Sequence, residues 1–229
     1  MNRTSPNHAL VPTLTIPMPT PPLLISANNP NLKAEVDALV PVPGYCIFID
    51  IVGSTLMKQR SIREWIALIH NGFANAGTFL NAFRPMKGIG DELMYYIEEA
   101  DLVASGYSAM QVFDGLYQIA NEPDTSYPAT KIVAAYCTSV YAMTFLPGAR
   151  DYYGIDIDRA ARLKGGCISP SLREKEVIID DQMHDRVRAC YDNAGNQSQF
   201  ASVLQLRGPT SHTAKGIPNA VSIYRTIKA

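Results

Sequence analysis

Nine of the sixteen prolines in this chain of 229 residues fall before residue 44. Proline lacks a backbone donor and its ring clashes with a preceding helical turn, so this spacing leaves no room there for a long helix or a central strand. No Asp or Glu precedes Glu35. Residues 1–43 read as a proline-rich N-terminal tail, either an extended arm or mostly disordered, with a short helix over 31–40 leading into one domain at 44–229. The fairly apolar stretch over 9–25 is interrupted by Pro12, Pro17, Pro19, Pro21 and Pro22, which argues against a signal-peptide core. No apolar run reaches the roughly 20 residues needed to cross a bilayer. A soluble cytoplasmic protein is expected.

From Tyr45 the texture changes. Tyr45-Cys46-Ile47-Phe48-Ile49 is a short apolar run rich in strand formers, as expected of a buried strand. Hydrophobic residues are 47% of the chain, enough for a sizeable core, and a net charge of −1 argues against a nucleic-acid or anionic-membrane surface. Cys46, Cys137, Cys167 and Cys190 form no C-x-x-C pair and read as reduced core residues.

A coarse pattern follows. A helix is expected over 56–83 with a break near Arg60–Ser61. Two strands, 84–89 and 93–98, flank a tight turn at 88–92. Then come a helix over 99–120, a β-rich stretch over 131–145, a helix at 157–164, a strand at 176–179 and a helix at 181–190. Strands at 200–206 and 220–226 close the domain. Hairpins mixed with helices predict an α+β domain, one sheet with helices packed on it.

Chemistry gathers at strand ends. Asp50 follows the first strand and Asp91 sits at the hairpin tip. Paired carboxylates on neighbouring strands can hold two hard cations about 3.5–4 Å apart. An isolated strand-end Asp is more often a turn former or helix cap. Gly53-Ser54-Thr55 opens a helix, where free backbone N–H groups can cradle phosphate. Asp158 and Arg162 stand four apart on one helix face, a pattern that serves either a surface ion pair or a transition-state contact. Lys215-Gly216-Ile217 precedes the last strand and reads either as a turn with a solvated lysine or as an ammonium placed on a polyphosphate.

Taken together and in order, these segments resemble the catalytic domain of class III adenylate and guanylate cyclases, a ferredoxin-like α+β fold with a central, mostly antiparallel sheet. Phe48 to Thr55 is similar to F-x-D-I-x-G-F-T, Lys87 to Asp91 to K-x-I-G-D, and Asp151 to Arg162 to D-x-x-G-x-x-V-N-x-A-x-R. Lys215 to Ile217 is similar to the late K-G-I element. The resemblance implies that Asp50, Asp91 and the carbonyl of Ile51 hold two divalent cations, Mg²⁺ or Mn²⁺. It implies that Gly53, Ser54 and Thr55 hold the triphosphate, that Lys87 and Asp151 read the base, and that Asp158 orients the ribose. Arg162 is then the transition-state arginine and Lys215 a phosphate contact. It also implies a homodimer whose sites take the metal aspartates from one partner and the arginine from the other. Asp158 departs from the family's Asn, and Ser54 from its Phe.

The Lys87/Asp151 pair points to adenine and thus to an adenylate cyclase. The Gly154-Ile155-Asp156-Ile157-Asp158 segment and the stand-alone layout instead resemble the Pycsar cyclases of bacterial antiphage defence, which make cyclic UMP or cyclic CMP read by a separate effector. On that resemblance UTP is the expected substrate. Tyr152 and Tyr153 either narrow the base pocket or pack in the core. A catalytically inactive nucleotide-binding module is the remaining alternative.

Overall fold

The computed structural model describes residues 21–26, 28–121, 128–166, 175–195, 202–203 and 205–226. Its strands are β1 (Leu23–Leu24), β2 (Gly44–Ile51), β3 (Lys87–Ile89), β4 (Glu92–Glu98), β5 (Thr130–Cys137), β6 (Tyr141–Thr144), β7 (Asp151–Tyr153), β8 (Lys175–Asp180), β9 (Leu206–His212) and β10 (Val221–Thr226). Its helices are α1 (Leu32–Asp37), α2 (Ser54–Arg60), α3 (Ile62–Phe79), α4 (Glu99–Ala104), α5 (Ala109–Asn121), α6 (Ile155–Gly166) and α7 (Asp181–Asn193).

Seven strands form one sheet in the order β3-β4-β2-β5-β8-β10-β9. Only the β5–β8 pairing in it is parallel. The expected α+β class with a mostly antiparallel sheet is what the chain adopts. β2 lies centrally between β4 and β5, and both its faces are covered. Tyr45, Ile47 and Ile49 join Leu93, Tyr95, Ile132 and Ala134 under α3, α5 and α7. Cys46 and Phe48 join Met94, Ala135 and Ala160 on the opposite face, where α6 packs. A strand buried on both sides has no polar positions to alternate with, hence the unbroken apolar run.

A second sheet, β1-β6-β7, lies beside the first. It draws on part of the stretch expected as a tail: Leu23 and Leu24 pair in parallel with Met143 and Thr144. The Val42 amide donates to the Val140 carbonyl at 2.7 Å.

Several expected elements shift. The break near Ser61 separates α2 from α3, and the Ser61 hydroxyl caps α3 by accepting from the Glu64 amide. The helix expected over 99–120 is two helices. Gly106 adopts a φ of 73°, and Ser108 and Gln111 then cap α5 reciprocally: the Ser108 amide donates to Gln111 Oε1 at 2.9 Å and the Gln111 amide to Ser108 Oγ at 3.3 Å. The strand expected at 84–89 starts at Lys87. The stretch over 131–145 divides into β5 and β6, which belong to different sheets. The strand expected at 200–206 lies partly outside the described residues; the strand present there is β9, beginning at Leu206. Cys46, Cys137 and Cys190 are free thiols, the first two fully buried. Cys167 lies outside the described residues. Among the described residues no helix is long and apolar enough to cross a membrane.

Candidate active site

Asp50 is the next-to-last residue of β2 and stands directly opposite Glu92 of β4 and Lys131 of β5. Asp91 belongs to the two-residue turn Gly90-Asp91 joining β3 to β4. The Ile51 amide donates to the Asp91 carbonyl at 3.3 Å, so the turn is tied to the end of β2. Burial pushes the Asp50 carboxyl up from its ordinary range and the negative charge of Asp91 adds to this, while Lys164 and Lys131 pull it down. Carboxylate oxygens are hard donors and suit a hard divalent cation. Among the described residues no group of three or more His, Cys, Asp or Glu is arranged to hold a metal. Two carboxylates and the Ile51 carbonyl fit ions of the Mg²⁺ kind, which take much of their coordination from water and substrate phosphate.

After β2 the chain turns sharply. Gly53 precedes α2 with φ of 76°, a left-handed conformation that glycine adopts without penalty. Thr55 is exposed, whereas Ser54 is buried and its hydroxyl accepts from the Trp65 indole N–H at 2.7 Å. The Ser54 side chain therefore ties α2 to α3 and leaves any phosphate contact to its backbone amide.

Lys87 and Asp151, 64 residues apart, form an ion pair with Nζ 3.1 Å from Oδ1 and 3.3 Å from Oδ2. The Tyr152 amide donates to Oδ1 at 2.9 Å and the Tyr153 hydroxyl to Oδ2 at 3.1 Å. Burial alone would raise the Asp151 carboxyl; these donors outweigh it and hold the group below its usual range. The two neighbouring tyrosines part company. Tyr152 packs inward on Tyr96, ring centroids 4.3 Å apart, and its hydroxyl meets Glu98 and Arg150. Tyr153 faces outward with its ring 5.9 Å from Lys87 Nζ.

The turn into α6 explains the glycine of the Asp151–Arg162 segment. A Cβ on Gly154 would stand 2.1 Å from the Ser139 carbonyl oxygen, well inside contact distance. One Asp156 oxygen accepts from the Thr138 and Ser139 amides at 2.8 and 2.9 Å, locking the β5–β6 bend to the start of α6. On α6, Ala160 and Leu163 face the sheet, and Asp158 and Arg162 are exposed. The Arg162 guanidinium donates to the Lys215 carbonyl and lies against Gly216. Arg159 reaches the fully buried Asp180 at 2.8 Å.

The sequence-predicted residues thus fall into four groups: Asp50 with Ile51 and Asp91, Gly53 with Ser54 and Thr55 at the start of α2, Lys87 with Asp151, and Arg162 with Lys215. Asp158 stands apart on the outer face of α6. Sequence reasoning missed Glu92, Lys131 and Lys164. Lys164 pairs with Glu92 beside Asp50. Its signal was present: Ile157, Ala160, Leu163 and Lys164 keep helical spacing along the face that meets the sheet, a place where a lysine needs an acidic partner.

The sequence matches no protein-family model and no curated relative. Solved structures are similar in fold. The adenylyl cyclase CyaB from P. aeruginosa aligns at TM-score 0.58 with 15% identity, over 82% of this chain and 95% of that one. The guanylyl cyclase Cya2 aligns at 0.56 with 11% identity, over 82% and 93%. Adenylate cyclases from Trypanosoma brucei in their monomeric state align at 0.57 with 11% identity, over 80% and 87%. The chain therefore has the fold of adenylyl and guanylyl cyclase domains.

Proposed function

We propose that the protein is a nucleotide cyclase that converts a nucleoside triphosphate to a 3′,5′-cyclic monophosphate and pyrophosphate. The observation that carries the reading is the junction of Asp50 and Asp91, joined through the Ile51–Asp91 backbone bond, on a fold similar to cyclase domains. Asp50, Asp91 and the Ile51 carbonyl would hold two Mg²⁺ or Mn²⁺ ions, which when bound supply Lewis-acid polarisation of the phosphate and a lowered pKa for the ribose 3′-hydroxyl. The backbone at Gly53, Ser54 and Thr55 receives the triphosphate, and Asp158 orients the ribose. The 3′-oxygen bonds to the α-phosphorus as the bond from that phosphorus to the pyrophosphate oxygen breaks, and the hydroxyl proton passes to solvent. Arg162 and Lys215 neutralise the charge that builds on the phosphoryl oxygens.

Because Arg162 is engaged with Lys215 while the charges acting on Asp50 are Lys164, Asp91 and Lys131, the complete site is read as forming across a homodimer. For the base, the reading is a pyrimidine, UTP ahead of CTP. Its support is that both Asp151 oxygens already accept hydrogen bonds and that the Tyr153 ring stands beside Lys87, so the pair is already engaged by this chain's own groups. As in the Pycsar group, the product would serve as a cytoplasmic signal in antiphage defence, read by a separate effector.

Purified full-length protein incubated with Mn²⁺ and each of the four triphosphates tests the reading. Cyclic UMP is the expected main product. Cyclic AMP alone would replace the pyrimidine assignment with adenylate cyclase. Turnover unchanged by Asp50→Ala and Asp91→Ala would remove the two-metal assignment.

A further inference from the structure

Lys164 is the least expected group near the metal aspartates. It sits on the inner face of α6, with only a quarter of its side chain exposed, and pairs with Glu92, whose side chain is 8% exposed. Glu92 follows Asp91 in sequence and stands opposite Asp50 across the β2–β4 ladder, a position that brings Cβ atoms within about 5 Å. The ammonium lies 5.7 Å from the ring of Phe48, two residues before Asp50 on the same face of the strand. On the other flank Lys131 of β5 stands opposite Asp50. Three carboxylates (Asp50, Asp91 and Glu92) therefore share the end of the sheet with two ammonium groups. The cluster keeps one net negative charge, where the acids alone would carry three.

Divalent cations bind an oxygen cluster more tightly the more negative charge it leaves unneutralised. We infer that Lys164 is a resident counter-ion of the metal site, held by Glu92, so that metal binds weakly to the nucleotide-free protein and enters together with the triphosphate. The inference rests on the two-metal reading above and goes beyond it, because it assigns the order of loading to a residue outside the metal-holding set. Two residues apart on a helix of 3.6 residues per turn, Lys164 and Arg162 point to opposite sides. One helix thus carries the counter-ion of the protein's own metal aspartates and an arginine that holds the Lys215 turn.

The test is Mn²⁺ binding to the full chain without nucleotide, followed by the loss of the free-ion electron paramagnetic resonance signal. Lys164→Gln should tighten Mn²⁺ binding about tenfold, and Lys164→Arg, which keeps the charge, should match the wild type. Glu92→Gln is nearly isosteric, and the Lys164 side chain it leaves unpaired is a quarter exposed to solvent, so the variant should fold. It should weaken Mn²⁺ binding by a similar factor, the opposite direction from Lys164→Gln. Binding that is unchanged in Lys164→Gln, or unchanged or tighter in Glu92→Gln, overturns the inference. Asp50→Asn separates the two readings. If Mn²⁺ still binds that variant with nucleotide present as it binds the wild type, the metal assignment itself fails, whatever the Lys164 variants do.

Discussion

Asp156→Ala is the substitution whose cost the structure defines best. The Asp156 carboxylate is nearly buried, and a single oxygen accepts from two consecutive amides, Thr138 at 2.8 Å and Ser139 at 2.9 Å. Truncation leaves both N–H groups without their acceptor in a bend where Thr138 and Ser139 are themselves exposed to water. A hydrogen bond to a charged acceptor contributes about 1.5–3 kcal/mol, and the bend can recover part of that by admitting water, so a loss of about 3 kcal/mol is expected. For a chain of this length that corresponds to a fall in Tm of about 6–12 °C. Urea unfolding followed through Trp65, the only tryptophan, measures the change directly. Asp156→Asn keeps an acceptor oxygen and the volume but loses the charge, so it should cost about 1 kcal/mol. Because Gly154 abuts Ser139, loosening the bend also frees the turn that carries Asp151 and the start of α6. Asp156→Ala should therefore also lower cyclase turnover in the folded fraction. An Asp156→Ala protein within about 0.5 kcal/mol of wild type would refute the reasoning, because it would mean that the bend holds its shape without the carboxylate.

Arg162→Ala should reduce cyclic nucleotide formation by about 10²-fold or more with little change in unfolding midpoint, since the side chain is exposed and acts on developing charge. Lys87→Ala should change the ratio of kcat/KM values among the four triphosphates more than it changes the value for the best one; a uniform fall would place Lys87 outside base recognition. Stability should fall as pH rises from about 4 to 7. Burial raises the carboxyls of Glu176 and Asp180 to about 7 and about 6, against ordinary values of 4.5 and 3.8. A raised folded-state value favours the folded protein below the unfolded value and loses that contribution as pH passes the folded one. Glu176→Gln should flatten this slope in urea midpoints measured across the range, and an unchanged slope would assign it to other groups. Ser54→Ala should cost about 1 kcal/mol and shift the Trp65 emission, because the indole N–H loses its acceptor.

What the sequence determined by itself was local. The run Tyr45–Ile49 marked a buried strand, and Gly53-Ser54-Thr55 marked the opening of the helix after it. Asp91 marked the hairpin tip, and the break near Arg60–Ser61 marked the division between α2 and α3. Each is a short-range consequence of backbone sterics or capping, readable within a few residues. The tertiary structure decided what depended on pairing across the chain. It joined Lys87 to Asp151 over 64 residues, turned Tyr152 inward and Tyr153 outward, and gave the Asp156 carboxylate to the β5–β6 bend. It also set Glu92 and Lys131 on either side of Asp50 and brought Lys164 over them from α6. Strand register and helix docking place these charges, and both are fixed by the burial of apolar faces far from the residues themselves. A carboxylate at a strand end is visible in the sequence; the number of ammonium groups it must share its charge with is a property of the assembled sheet.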